Sequence, residues 1–175
     1  MRMKRLITVT LISLFTIAGN AQGKFTVPAP GDFQKFQMAS AELNASYLIQ
    51  ISYAKSLGQS VENAAAFAGD QYIATWNKQG GFDRFVQRIL YMMVSMVPYG
   101  SVEIIEQSDN EIIYKVSGLY SDLKEGGSIL NVTYEEYMKF WETAISRIAD
   151  NMGAKYSQKD SDEGLIVTIN RKADK

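Results

Sequence analysis

The spacing of apolar side chains first changes period at Pro98-Tyr99-Gly100, and that switch limits what this chain can fold into more than any other feature. Before it, apolar residues recur every three to four positions, the repeat that lines one face of a helix. After it, short runs of branched residues separated by turn formers point to paired strands. A chain that begins helical and then alternates hairpins with a helix belongs to the α+β class.

Three helices are expected ahead of the switch. The first runs from about Asp32 to Leu57, with Phe36, Leu43, Tyr47, Ile51 and Ala54 on its apolar side, and Gly58 is placed to supply a left-handed stop. Ser60 can accept the free amide hydrogens of a second helix, whose apolar side is Val61, Ala64, Ala65, Ala68, Tyr72 and Trp76. Its small residues, with Gly69, allow a neighbouring helix to come close. Gly80-Gly81 break the chain, and a third helix from about Phe82 to Val97 carries Phe82, Phe85, Val86, Ile89, Leu90, Met93 and Val97 at the same spacing.

Beyond Gly100, Val102 to Ile104 and Ile112 to Val116 flank Ser108-Asp109-Asn110 and read as a β-hairpin. A loop containing Gly126-Gly127 leads to Thr133-Tyr134-Glu135-Glu136, where Thr133 and Glu136 can cap each other's backbone amides. The helix opened there shows Tyr134, Tyr137, Trp141, Ile145, Ile148 and Met152 on one side and closes at Gly153. Ala154 to Gln158 and Leu165 to Asn170, around the turn-rich Lys159 to Gly164, form a second hairpin. One four-stranded antiparallel sheet, crossed by the Thr133 helix, buries both hairpins most economically. No internal repeat of fixed period is present.

The amino end carries an address. Arg2, Lys4 and Arg5 precede an uncharged run from Leu6 to Ala18 and the small residues Gly19-Asn20-Ala21, the order of a cleavable signal peptide. Residues 1–21 are therefore expected to be removed on export to the periplasm or the medium. The apolar run is well short of the ~20 residues needed to span a bilayer. Residues 22–31, with Pro28 and Pro30, read as an extended linker, and residues 32–171 as a single globular domain. Losing Arg2, Lys4 and Arg5 takes the 18 lysines and arginines to 15 against 19 acidic residues, a net charge near −4. With no basic stripe, neither a nucleic-acid partner nor an anionic membrane surface is expected, and no later run is long enough to cross a membrane.

The chain has no histidine and no cysteine. A Ser-His-Asp or Cys-His nucleophile is excluded, as are zinc sites built on imidazole or thiolate and heme held by either. Phosphate-binding and nucleophile-elbow glycine motifs are absent, and no cofactor is expected. Met92, Met93 and Met96 could offer soft sulfur to Cu(I), but at helical spacing they read as core filling. Glu103, Glu106 and Glu111 could supply an acid and a base. In a regular hairpin Glu103 faces away from Ile104 and Glu106 toward the same side as Ile104, so they need not meet. Asp160, Asp162 and Glu163 resemble part of a calcium loop, without its glycine or its distant glutamate, and read as a solvated turn. Asp70 is the polar residue of the second helix most worth locating.

Aromatic residues with a polar handle occur on nearly every element: Tyr47, Tyr53, Tyr72, Trp76, Tyr91, Tyr114, Tyr137 and Trp141. Such side chains suit either a core or the wall of a small-molecule pocket. The order of elements over the last half of the chain, a late helix from Thr133 to Gly153 followed by a closing hairpin from Ala154 to Asn170, resembles hydrocarbon-binding domains of the 4-vinyl reductase type and, more distantly, heme-nitric-oxide-binding domains. The resemblance implies an apolar ligand enclosed between helices and sheet. This chain departs from those families in having no histidine for heme and no carboxy-terminal cysteines.

The leading expectation is an exported, non-catalytic binding module for a small apolar or aromatic ligand, with Tyr53, Trp76, Tyr91 and Trp141 as wall residues. An interaction subunit with a protein partner in a cell-envelope assembly, and an enzyme using only carboxylate, tyrosine and lysine groups, are the alternatives.

Overall fold

Helix α1 (Asp32–Ser56), α2 (Val61–Ile73) and α3 (Gly81–Met96) lead into strands β1 (Ser101–Gln107) and β2 (Glu111–Ser117). They are followed by a short α4 (Ser121–Gly126), a two-residue ladder of β3 (Ser128–Ile129) and β4 (Val132–Thr133), the long α5 (Tyr134–Asn151), and strands β5 (Ala154–Ser161) and β6 (Gly164–Arg171). This computed structural model describes residues 31–76 and 80–173; the expected signal peptide and all of the linker but Gly31 lie outside them.

Local chemistry sets most boundaries. Gly58 and Gly153 take φ of +72°, closing α1 and α5 in a conformation that costs a side-chain-bearing residue more. Ser60 Oγ accepts the Asn63 amide at 3.1 Å and starts α2. At α5 both halves of the capping box form, Thr133 Oγ1 accepting from Glu136 N at 3.2 Å and Glu136 Oε2 from Thr133 N at 2.9 Å. Two expectations need correction. Helix α2 stops at Ile73, so Trp76 sits in the turn beyond it, its ring nonetheless buried 5.7 Å from that of Phe85. The loop around Gly126-Gly127 holds α4 and the β3–β4 ladder, reached through left-handed backbone at Tyr120, Leu130 and Asn131.

The two hairpins share one antiparallel sheet in the order β1-β2-β6-β5. Strands β2 and β6 pair from Glu111↔Asn170 to Val116↔Leu165. Because side chains alternate across a strand, this register puts Ile112, Tyr114 and Val116 on the face carrying Leu165, Val167 and Ile169. All six are buried. The second hairpin is tighter than expected, its strands running to Ser161 and Gly164 and leaving only Asp162-Glu163 as the turn.

Strand β1 is irregular. Ile104 pairs with Tyr114 but Glu106 pairs with Ile113, so Ile105 is an extra residue, a β-bulge. The bulge returns Glu106 to the face of Glu103, opposite the one a regular hairpin would give it, and both carboxylates are exposed.

Helix α5 packs on the sheet edge at β5 and carries α2 on another side. The approach of α2 to α5 depends on Gly69: a Cβ there would lie 3.0 Å from Ala144 O and 3.1 Å from Arg147 Cβ. Helix α1 has a looser fit, its backbone standing farther from its neighbours and its contact made through Tyr47, Leu48 and Ile51. Among the described residues no helix is long and apolar enough to cross a membrane.

Candidate functional site

Where α1 stands off, space remains among the helices. A cavity of about 360 Å³ is lined by Leu43 and Tyr47 of α1, Tyr72 of α2, Trp76, residues Arg88, Tyr91, Met92 and Ser95 of α3, and Phe140, Trp141, Ala144, Ile145 and Ile148 of α5. Helices α1, α3 and α5 each contribute residues three or four apart, which share one face, and α2 contributes Tyr72 alone. A second cavity of about 530 Å³ lies between α1 and α2. Its apolar lining includes Tyr53, Leu57 and Phe67, all exposed, and the carboxamides Gln50, Gln59, Asn63 and Gln71 stand around it. Tyr72 and Phe140 line both spaces and form the partition.

Of the four wall residues expected from the sequence, Trp76, Tyr91 and Trp141 meet at the first cavity and Tyr53 belongs to the second. Tyr53 follows Tyr47 by six residues, roughly 240° around a helix axis, and so faces elsewhere. Trp76 and Trp141 are 8% and 5% exposed, whereas Tyr91 is 70% exposed, so the first two wall the interior and Tyr91 stands at the mouth. Neither cavity is lined by a strand residue. These two cavities lie among helices, whereas a smaller space of about 160 Å³ is lined by both helix and strand residues, among them Tyr134, Val116 and Leu165; Tyr114, Tyr156 and Val167 are buried beneath the helices.

The first cavity is aromatic and nearly uncharged. Tyr47 meets Trp141 edge-on at 4.8 Å. Burial pushes the Tyr47 phenol well above its ordinary range, with the adjacent Tyr72 hydroxyl adding to the effect. The indole N–H of Trp141 makes no hydrogen bond of normal geometry, although the Tyr120 and Tyr137 hydroxyls are close enough to feel its dipole. Among the described residues Arg88 is the single charged lining residue; its guanidinium lies 4.2 Å from the centre of the Trp76 ring and donates a long 3.4 Å hydrogen bond to Thr75 O.

Behind Trp141 a polar chain crosses the core. Tyr137 donates to Tyr120, Tyr120 donates to Asn44 Oδ1 at 2.9 Å, and Asn44 Nδ2 reaches Met96 O at 3.4 Å. Burial raises both phenols far beyond their usual range, so they remain neutral donors. A third cavity of about 570 Å³ beside this chain is lined by Ser40, Asn44 and Tyr120.

The other constellations are dispersed. Glu103 and Glu106 are exposed and Glu111 is half-buried on the next strand. Asp70 pairs with Arg147 through two bonds of 2.7 Å. Asp160 accepts from Tyr134 and Lys124, both at 3.0 Å, and Glu163 faces Lys115 at 3.4 Å. Among the described residues no group of three or more acidic side chains is placed to hold a metal ion. Met93 and Met96 are buried in the core, while Met92 lines the first cavity. Sequence reasoning named Tyr47 and Tyr72 among the aromatics suited to core or wall without choosing them, and missed Arg88 and Phe140; the spacing of Arg88, Met92 and Ser95 beside Tyr91 is the signal that could have found part of that wall.

No protein-family model, curated protein or solved structure matches the chain.

Proposed function

We propose that this protein is an exported, non-catalytic binding module that holds a small apolar or aromatic ligand among α1, α2, α3 and α5. The observation that carries the reading is the 360 Å³ cavity, whose walls come from four helices and include Tyr47, Trp76 and Trp141. Its volume falls within the ~300–1,000 Å³ of small-molecule sites, and its few polar groups match their usual composition. The positive run, apolar run and small-residue stretch at the amino end support export. Native mass spectrometry of the protein recovered from its own host, with melting curves across an apolar ligand panel, tests the proposal. A ligand at 100 times its dissociation constant adds about 2.7 kcal/mol to stability. A ligand-free mass together with unchanged melting across the panel would refute the reading.

A second reading has one observation in its favour. Tyr53, Leu57 and Phe67 are exposed side by side at the second cavity, and exposed apolar groups that cluster mark contact surfaces. A partner in a cell-envelope assembly that co-purifies with the parent chain but not with a Phe67→Ser variant would support that role.

A further inference from the structure

We propose that the ligand of the first cavity is an anion: a small carboxylate whose acid group pairs with Arg88 and whose apolar body lies against Trp76 and Trp141. The inference rests on the binding reading above and specifies its chemistry.

A box of tyrosine and tryptophan faces would ordinarily suit a cation, which such rings attract. Here the position is already taken. Arg88 covers the Trp76 ring at 4.2 Å, and among the described residues neither cavity is lined by an aspartate or glutamate. A second cation would meet an uncompensated positive charge, whereas an anion would complete it.

The molecule contains its own comparison. Arg171 stacks on Phe82 at 4.4 Å in much the same way. Its guanidinium is completed by Asp83 at 2.8 Å and by Asp109 O at 3.0 Å. Arg147 likewise holds Asp70. Arg88 is stacked like Arg171, yet among the described residues no carboxylate lies within ion-pair distance of it, and its contact with Thr75 O is long. An exposed planar fork, stacked over a ring at the edge of an apolar chamber with most of its donors turned to solvent, is suited to bidentate capture of a carboxylate. Apart from the hydroxyls of Ser95 and of Tyr47, Tyr72 and Tyr91, the described lining is ring, hydrocarbon and thioether, so the body of the ligand is mainly apolar. A straight-chain acid and an aryl acid share this chemistry, and the test separates them.

Tryptophan-fluorescence and calorimetric titrations should compare decanoate, decanol and decylamine, and in parallel 2-naphthoate, 2-naphthamide and 2-naphthylmethylamine. The expected result is that the acid of at least one series binds tenfold or more tightly than its neutral counterpart, about 1.4 kcal/mol, with the amine weakest. Whichever series shows it identifies the body of the ligand. Arg88→Gln should remove the preference, lowering the acid's affinity tenfold more than the neutral compound's, and Arg88→Lys should keep part of it. Ala144→Phe, which fills the chamber, should abolish binding of every compound. Equal affinity of acid and neutral compound, or an unaltered preference in Arg88→Gln, overturns the anion proposal while leaving the binding module standing. No binding in either series, with Ala144→Phe indistinguishable from the parent, overturns both.

Discussion

Gly69 sets the distance between α2 and α5, and replacing it should cost stability despite improving helix propensity. A glycine inside a helix is worth roughly 1 kcal/mol less than alanine, so Gly69→Ala would stabilise the protein if space allowed. Space is short: the new Cβ would be 3.0 Å from Ala144 O and 3.3 Å from Ala144 Cα, atoms of the α5 backbone that cannot rotate away. Overpacking of this kind typically costs about 1–3 kcal/mol. For alanine the two effects nearly offset, and a net loss of about 0.5 kcal/mol is expected. For Gly69→Leu the side chain must displace α5, and the loss should be about 2–3 kcal/mol. At roughly 2–4 °C per kcal/mol, the leucine variant should melt about 4–12 °C lower. Urea unfolding followed by tryptophan fluorescence and far-ultraviolet dichroism measures this directly. Gly126→Ala is the control, since nothing lies within 4 Å of its Cβ and its φ is ordinary. A Gly69→Leu protein as stable as the parent, or a Gly69→Ala protein stabilised by the full propensity difference, would refute the reasoning.

Tyr120→Phe should cost about 1–3 kcal/mol, because it strands both the Tyr137 hydroxyl and Asn44 Oδ1 in the interior; Tyr137→Phe, which only withdraws a donor from Tyr120, should cost less, and denaturant midpoints of the pair will tell. Glu136 is held below the ordinary carboxylate value of 4.5: burial alone would raise it, but the Lys55 ammonium and the Thr133 amide outweigh that effect. A depressed folded value contributes stability that is complete above about pH 4.5 and is lost below it, as pH falls through the lower folded-state value. Glu136→Gln should therefore show a shallower stability loss on acidification, and parallel slopes for the two proteins would contradict this. Tyr47, Tyr114, Tyr120, Tyr134, Tyr137 and Tyr156 are all raised, mainly by burial. Their stabilising effect is present below the ordinary value near 10 and lost above it, so in an alkaline titration their ultraviolet absorbance change should coincide with unfolding rather than precede it.

What could be read from the residues was mainly what neighbours along the chain decide. Thr133 and Glu136, like Ser60 and Asn63, are three positions apart, and the reciprocal cap of the first pair and the one-way cap of the second follow from side-chain reach alone. The period switch at Pro98-Tyr99-Gly100 likewise divides helices from strands as observed. Features that depend on distant partners were hidden. The extra residue at Ile105 arises from pairing with β2, and the side it gives Glu106 follows from that pairing. Left-handed backbone at Leu130 has no sequence signal, since a branched leucine is a poor candidate for it. The cavity was half legible: an abundance of tyrosine and tryptophan announced a possible wall, but its membership follows from helix rotation and from how far α1 stands from α5, neither of which a linear stripe encodes.

The bulge in β1 has a bearing on how the molecule behaves in a crowd. In the order β1-β2-β6-β5 the outer strands have one border unpaired among the described residues, and a straight, flat border of that kind invites one copy to zip onto the next. The extra residue at Ile105 kinks one border out of step with any incoming partner, and the exposed ammonium groups of Lys155 and Lys159 guard the other. Fibre growth by strand addition therefore lacks a clean starting template at either end.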